Sequence, residues 1–346
     1  MHTITVSNVN EALAVGINMF RYGMEHQMIL TAPRGQQTVE WHTPVTTVYK
    51  HPMERVLFSP LRDANPFFHL FESLWILAGR KDVKFLTHFL PRMADFSDDG
   101  DTFHAPYGHR LGWHFGIDQL VAVADMLKRE PDTRRAVCSI WDPRADLDQT
   151  SKDIPCNDLL AFRVRRGALD LTVYNRSNDM IWGAYGANAV QFSFILEYVA
   201  WMAGLPVGRY YQVSNSFHVY LNEQWDKLKD MDLAGRDPYY DPLPGADAPI
   251  RPMPISTGAT VEEFMTDLTA FFCAWDQGEP WLPDFTTPYF RETVQPMWRA
   301  FDTFKLAKAN GNVFQLTHMP EWINVRVAAK DWALAAALWL GRRINK

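Results

Sequence analysis

Residues 154–179 read IPCNDLLAFRVRRGALDLTVYNRSND. Two alternating runs flank a glycine. Leu160, Phe162 and Val164 share one face, and Leu169, Leu171 and Val173 share one face, with Gly167 between them. This spacing predicts a hairpin of strands over 159–166 and 168–175. The outer ends of a hairpin lie side by side. Cys156, just before the first strand, and Arg176, just after the second, therefore come to the same end of the sheet. A thiolate is the attacking form of cysteine, and a neighbouring cation favours it. On spacing alone two readings stay open: a reactive nucleophile, or a small buried hydrophobe.

Working outward, residues 8–24 read as a helix behind an Asn cap. Residues 38–52, rich in β-branched residues at a period near two, read as strand. PFFHLFESLWILAG (66–79) is a helix apolar nearly all round and stopped at Gly79, hence buried. Residues 95–110 read as loop, and 118–131 as an amphipathic helix ended by Pro131. Residues 134–143 read as strand, 188–204 as a long helix with a glycine stop, and 208–228 as strand running into helix. A Pro-rich irregular segment occupies 237–256. Beyond it, 261–275 and 328–342 read as helices with a Pro-rich connection between. Consecutive strands rather than strict βα alternation make this an α+β pattern. We find no internal repeat and no GxxxxGK or GxGxxG phosphate loop.

Composition limits the function classes. The 346 residues are 47% hydrophobic and 21% charged, enough for a large core, and 13 Trp, 12 Tyr and 22 Phe argue for a packed globule. A net charge of −6 argues against a general nucleic-acid surface. Three cysteines, Cys138, Cys156 and Cys273, without CxxC or Cys/His spacing argue against a disulfide framework or structural zinc and for a reducing cytoplasm. No signal peptide is evident at the N-terminus, and the apolar run at 331–341 is too short to span a bilayer.

Other candidate residues are each double-edged. Arg134 and Arg135 in DTRRAV (132–137) offer planar forks suited to phosphate, but neighbours on a strand point opposite ways. Arg34 is a loop arginine beside a glycine. Glu72 sits inside an apolar helix, where desolvation raises a carboxyl toward the range useful for proton transfer, or else lies at that helix's exposed edge. His218 and Tyr220, two apart, share a strand face.

In chain order, ESLWILAG (72–79), PYG (106–108), DTRRAV (132–137), IPCN (154–157), NRSND (175–179), a helix opened by Asn188, and SFHVYLN (216–222) resemble the thymidylate synthase superfamily over roughly residues 30–225. The resemblance implies a thymidylate synthase-like α+β fold. Its large, twisted, mixed or antiparallel sheet is packed with helices, and extra helices follow at the C-terminus. It implies a catalytic domain over 1–256 and a helical extension over 257–346 packed on the same domain, and a cytoplasmic homodimer. The cosubstrate would be 5,10-methylenetetrahydrofolate, with no metal. Cys156 would add to C6 of a pyrimidine nucleoside monophosphate, making C5 a nucleophile for the folate methylene. Arg34, Arg176 and Ser177 would hold the 5′-phosphate, with Arg134 and Arg135 reaching it from the partner subunit. Asn188 would read the base, Asp179 would contact the folate, and His218 and Tyr220 would bind the sugar hydroxyl. Glu72 and Tyr107 would handle protons. No DNA or membrane partner is implied.

The chain departs from the synthase pattern in four places. The loop before PYG, PRMADFSDDGDTFHA, lacks a tryptophan that shields the methylene intermediate in synthases. Asn157 follows the cysteine where synthases have His. GAYGAN carries one extra residue, leaving Ala187 or Asn188 as the base reader; the helix register favours Asn188. The chain also continues for some 90 residues beyond the point where synthases close on a short tail. These features resemble the pyrimidine nucleotide hydroxymethylases of phage DNA modification and nucleoside antibiotic pathways. There water rather than hydride ends the reaction. Asn188 leans to dUMP, with dCMP or CMP open because a carboxamide turned over matches cytosine. The competing readings are thymidylate synthase itself, making dTMP with dihydrofolate release, and a catalytically silent nucleotide- or RNA-binding relative.

Overall fold

The computed structural model describes residues 1–24, 28–232, 235, 237–244, 246–279 and 282–344, with the side chain of Arg34 also outside the described set. The chain divides into two compact units: residues 1–55 with 71–235, and residues 56–70 with 236–346.

Among the described residues, the first unit is built on one sheet of eight strands. These are β1 (His2–Val6), β2 (Met28–Thr31), β3 (Thr38–Trp41), β4 (Val45–Tyr49), β5 (Val137–Ser139), β6 (Asn157–Arg165), β7 (Ala168–Asp179) and β8 (Val207–Tyr220). Their order is β1-β4-β8-β7-β6-β5, with β3 pairing both β2 and β8. The sheet is mixed. β6–β7 and β4–β8 are antiparallel, and β1–β4 and β7–β8 are parallel. A parallel β7–β8 pair needs a long crossover, which residues 180–203 provide. The β6–β7 hairpin forms where its spacing predicts, but β7 runs on to Asp179, so Arg176 lies within the strand rather than just after it. Arg166 (φ 54°) and Gly167 (φ 75°) make the turn, both with the positive φ that matches a two-residue link to strand twist.

Helices α1 (Val9–Gly23), α2 (Pro66–Leu77), α3 (Val83–Phe89), α4 (Tyr107–His109), α5 (Gln119–Arg129), α6 (Pro143–Asp146), α7 (Asn188–Ala203) and α8 (Glu223–Leu228) follow in order; the units divide within α2. Asn8 caps α1 by accepting from the amides of Asn10 and Glu11. A Cβ at Gly16 would sit 2.4 Å from the Tyr185 ring, so only glycine lets α1 lie this close to the crossover. Helix α7 is buried from Asn188 to Ala200 and ends at Gly204, whose left-handed φ of 70° closes the last turn.

Three expectations for the first unit need correction. Residues 38–52 form two strands rather than one. In 134–143 only Val137–Ser139 is strand, so Arg134 and Arg135 lie in irregular chain and strand alternation does not govern them. The loop read over 95–110 holds the end of a 3₁₀ turn (Pro91–Phe96) and the helical turn α4.

The second unit contains α9 (Val261–Gln277), α10 (Gln295–Ala309), α11 (Val313–Arg326) and α12 (Lys330–Gly341). The Pro-rich connection expected between 275 and 328 is thus largely helical. Pro296 follows directly on a π-helical turn, Phe290–Val294, that runs into α10, and α11 carries Pro320 internally. Thr260 and Glu263 form a reciprocal capping box on α9. The core is aromatic: Phe67 packs on Phe301 and Trp339, and Phe271 on Trp298. The buried Asp331 accepts from the Tyr239 hydroxyl at 3.0 Å. Trp281 lies outside the described residues. No described helix is long and apolar enough to cross a membrane.

Candidate active site

The open end of the β6–β7 hairpin brings Cys156 and Arg176 together. The register pairs Asn157 with Asn175, and the Arg176 amide donates to the Cys156 carbonyl at 3.0 Å. The Arg176 guanidinium donates to the Pro155 carbonyl (2.8 Å) and the Ile154 carbonyl (3.0 Å), and its Nη2 lies 3.9 Å from Cys156 Sγ. One planar fork therefore clamps the turn that carries the half-buried sulfur and places positive charge beside it, the environment that favours a thiolate. The other two thiols differ. Cys138 is buried and its thiol is pushed up to about 12 by desolvation, while Cys273 is exposed on α9. Ser177 follows on β7, half-buried.

Behind the nucleophile lies a line of buried amides. Asn157 Nδ2 donates to Asn188 Oδ1 (3.4 Å), and Asn188 Nδ2 donates to Asn178 Oδ1 (3.1 Å). Asn178 Nδ2 donates to Gln212 Oε1 (2.9 Å) and Ser214 Oγ (3.0 Å), and Gln212 Nε2 donates to the Tyr210 hydroxyl (2.8 Å). Between Asp179 and Asn188 the chain runs through a helical segment, Met180–Ala187, kinked at the non-helical Tyr185 and Gly186. Asn188 then opens α7, and its carboxamide joins the amide line. The Tyr49 hydroxyl donates to the Ala184 carbonyl and holds this segment.

Glu72 is buried on α2, beside Gln191 of α7. Desolvation pushes its carboxyl up to about 8, with the Gln191 hydrogen bond pulling the other way. The exposed-edge reading of Glu72 is thus excluded. Tyr107 stands against the Cys156 backbone and the Asn157 side chain, and burial raises its hydroxyl well above the ordinary range, so it stays a neutral phenol. A Cβ at Gly108 would lie 2.1 Å from the Ile76 carbonyl; glycine there seats the Tyr107 turn directly on α2, one turn from Glu72. Three buried acceptors here, Glu72 Oε2, Gln191 Oε1 and Asn157 Oδ1, have no donor among the described residues. Buried acceptors are normally satisfied, so these fit a polar ligand or ordered water.

On the far side of β7, Asp179 accepts from the amides of Ile181 and Trp182 (3.2 and 2.8 Å). The Arg92 guanidinium stacks 3.6 Å over the Trp182 ring. His218 pairs in register with Asp179 and with Glu40 of β3; its imidazole is lowered by burial, while Asp179 and Glu40 pull it up. Tyr220 packs edge-on to it at 5.3 Å. Arg134 and Arg135 are exposed, Arg135 pairing with Glu130 at 3.1 Å. Arg34 lies in the turn Pro33–Gly35, with its side chain outside the described residues.

Gln191, Asn178, Gln212 and Arg92 join the site only in the structure. A glutamine inside the apolar stretch NAVQFSFIL carried the same signal as Glu72 and pointed to Gln191. For Arg92 no sequence signal existed, because its partner is 90 residues away.

The thymidylate synthase family model matches residues 64–243. A deoxyuridylate hydroxymethyltransferase of Pseudomonas phage M6 is 42% identical over 352 residues, covering 99% of this chain and 95% of that protein. Another of that name, from Bacillus phage SP01, is 48% identical over 210 residues, covering 58% of this chain and 55% of that protein. A putative thymidylate synthase of Methanothermobacter marburgensis is 35% identical over 196 residues, covering 54% of this chain and 80% of that protein. With a cysteine and arginine paired at the hairpin end and a family match over more than half its length, this chain belongs to the thymidylate synthase family.

Proposed function

We propose that this enzyme is a one-carbon transferase that makes 5-hydroxymethyl-dUMP from dUMP, water and 5,10-methylenetetrahydrofolate, releasing tetrahydrofolate. The likeness to the phage M6 deoxyuridylate hydroxymethyltransferase carries the reading, because it runs through 99% of the chain and so includes the C-terminal unit.

In this reading the Cys156 thiolate adds to C6 of the uracil ring, and the electron pair moves to C5. C5 then attacks the methylene carbon supplied by the folate. Loss of the C5 proton and departure of tetrahydrofolate leave an exocyclic methylene on the ring. Water adds to that carbon, the C6–S bond breaks, and the thiolate is restored. Glu72, neutral below about pH 8, supplies and recovers protons at the base and folate. Tyr107, a neutral phenol beside Cys156, assists removal of the C5 proton.

Arg176 and Ser177, with Arg34, take the 5′-phosphate. Asn188 reads the base, and His218 and Tyr220 take the sugar hydroxyl. Asp179 meets the folate. The exposure of Arg134 and Arg135 supports their donation to the phosphate of a second subunit. Asn157 beside the nucleophile and the absence of tryptophan from residues 90–106 support water, not hydride, as the final reactant.

The test is product mass from dUMP, dCMP and CMP in parallel, each with methylenetetrahydrofolate. The expected product is dUMP heavier by one CH2O, with no rise in dihydrofolate absorbance. A product heavier by one CH2, with dihydrofolate formed, would make the enzyme a thymidylate synthase.

A further inference from the structure

The line of buried amides behind Cys156 has a direction. A carboxamide has a donor end and an acceptor end, and turning it over exchanges them. Uracil presents the O4 acceptor beside the N3–H donor. Cytosine presents the N4 amino donor beside the N3 acceptor. The two bases therefore demand opposite orientations of a carboxamide that reads that edge.

In this chain the orientation of Asn188 is tied to its neighbours. Asn178 spends its amide nitrogen on two acceptors, Gln212 Oε1 and Ser214 Oγ, so its carbonyl is what faces Asn188. Only the nitrogen end of Asn188 can meet that carbonyl, at 3.1 Å. Turning Asn188 alone would set two carbonyl oxygens against each other in a buried site, leaving both unsatisfied. Gln212 is held in turn by the Tyr210 hydroxyl. Asn178, Asn188, Gln212, Ser214 and Tyr210 are all nearly or fully buried, so water cannot substitute for a lost partner. Gly183 closes over the pair: a Cβ there would stand 2.7 Å from Asn178 Oδ1 and 3.2 Å from Asn188 Nδ2. Asn188 can therefore turn over only if the line turns over with it.

We propose that Asn178, Gln212 and Ser214 are positioning residues that set the choice of uracil over cytosine by locking the carboxamide of Asn188. The inference rests on the dUMP reading above and names what enforces it. None of the three needs to touch the base. Their effect lies in the ratio of the two substrates, not in the chemical step.

The experiment uses the full chain and two readouts. The first is binding of dUMP and of dCMP, measured by calorimetry without folate. The second is kcat/KM for each nucleotide with methylenetetrahydrofolate. The double variant Gln212→Met/Ser214→Ala removes both acceptors of Asn178 and frees it to turn by itself. It is expected to shift the dCMP-to-dUMP ratio toward dCMP by about tenfold or more, the equivalent of one buried hydrogen bond exchanged. Gln212→Met alone removes the carbonyl that holds the Asn178 nitrogen, since the Ser214 hydroxyl can donate as readily as accept, and is expected to shift the ratio in the same direction. Asn178→Asp offers only acceptors to Asn188 when ionised and is expected to hold the ratio within about threefold of wild type. A stability role alone would lower both activities together and leave the ratio fixed. An unchanged ratio in a double variant that still binds dUMP overturns the inference and leaves the function standing. If the double variant does not fold, an unchanged ratio in Gln212→Met overturns it. Wild-type protein that prefers dCMP, or binds neither nucleotide, overturns the dUMP reading and this inference with it.

Discussion

The Arg176 guanidinium lies 3.9 Å from Cys156 Sγ while donating to the carbonyls of the two residues before that cysteine. Charge and position are thus supplied by one side chain. Arg176→Gln is expected to slow alkylation of Cys156 by iodoacetamide at neutral pH about tenfold or more, since the thiolate fraction follows the nearby charge. A Cys273→Ser background removes the exposed competitor, and peptide mass mapping reads the rate. An unchanged rate would separate the arginine from nucleophile activation.

Cys156→Ser tests the covalent step. The substitution keeps the size of the side chain at a half-buried position, so the melting temperature stays close to wild type. Turnover is expected to fall by about 10³-fold or more, because a serine hydroxyl at neutral pH is a far weaker nucleophile than a thiolate. Nucleotide binding by calorimetry persists. Residual turnover near wild type would remove the adduct from the mechanism.

Glu72 makes stability depend on pH. Its carboxyl titrates near 8 in the folded chain against 4.5 when solvated, because burial disfavours the anion. Between those values the folded state holds a proton that the unfolded state has lost, so stability falls as pH rises through the window. Glu72→Gln keeps the neutral shape and is expected to flatten that fall in melting temperature from about pH 5 to about pH 9. The same variant loses turnover by about 10²-fold or more, as removal of a proton-transferring group does. A slope identical to wild type would show that Glu72 is not the titrating group.

Arg134 and Arg135 give a test of subunit sharing. A variant with both changed to alanine and a Cys156→Ser variant are each expected to be nearly inactive. Mixed and allowed to exchange subunits, random pairing of dimers restores about a quarter of wild-type activity, because half the dimers then hold one complete site. No recovery after verified exchange would place these arginines outside the partner's site.

Much of this molecule is legible in local pattern. Alternation on either side of Gly167 specified the hairpin, because a period of two and a glycine at positive φ are properties of adjacent residues. The hairpin alone brought Cys156 to Arg176. An apolar helix with one carboxylate marked Glu72, because burial of a charge is a local anomaly. The helices α10 and α11 stand where prolines argue for a connection, because a proline held inside a helix by its packing looks the same in sequence as a proline in a loop.

What only the tertiary structure decided is the direction and company of the polar groups. Asn178 and Gln212 are ordinary strand residues until the parallel pairing of β7 with β8 places them in one line with Asn188. Arg92 meets Trp182 only through the fold. Hydrophobic periodicity records which face of an element is buried. It carries no record of which buried polar atom donates to which, since that depends on residues brought together from distant parts of the chain.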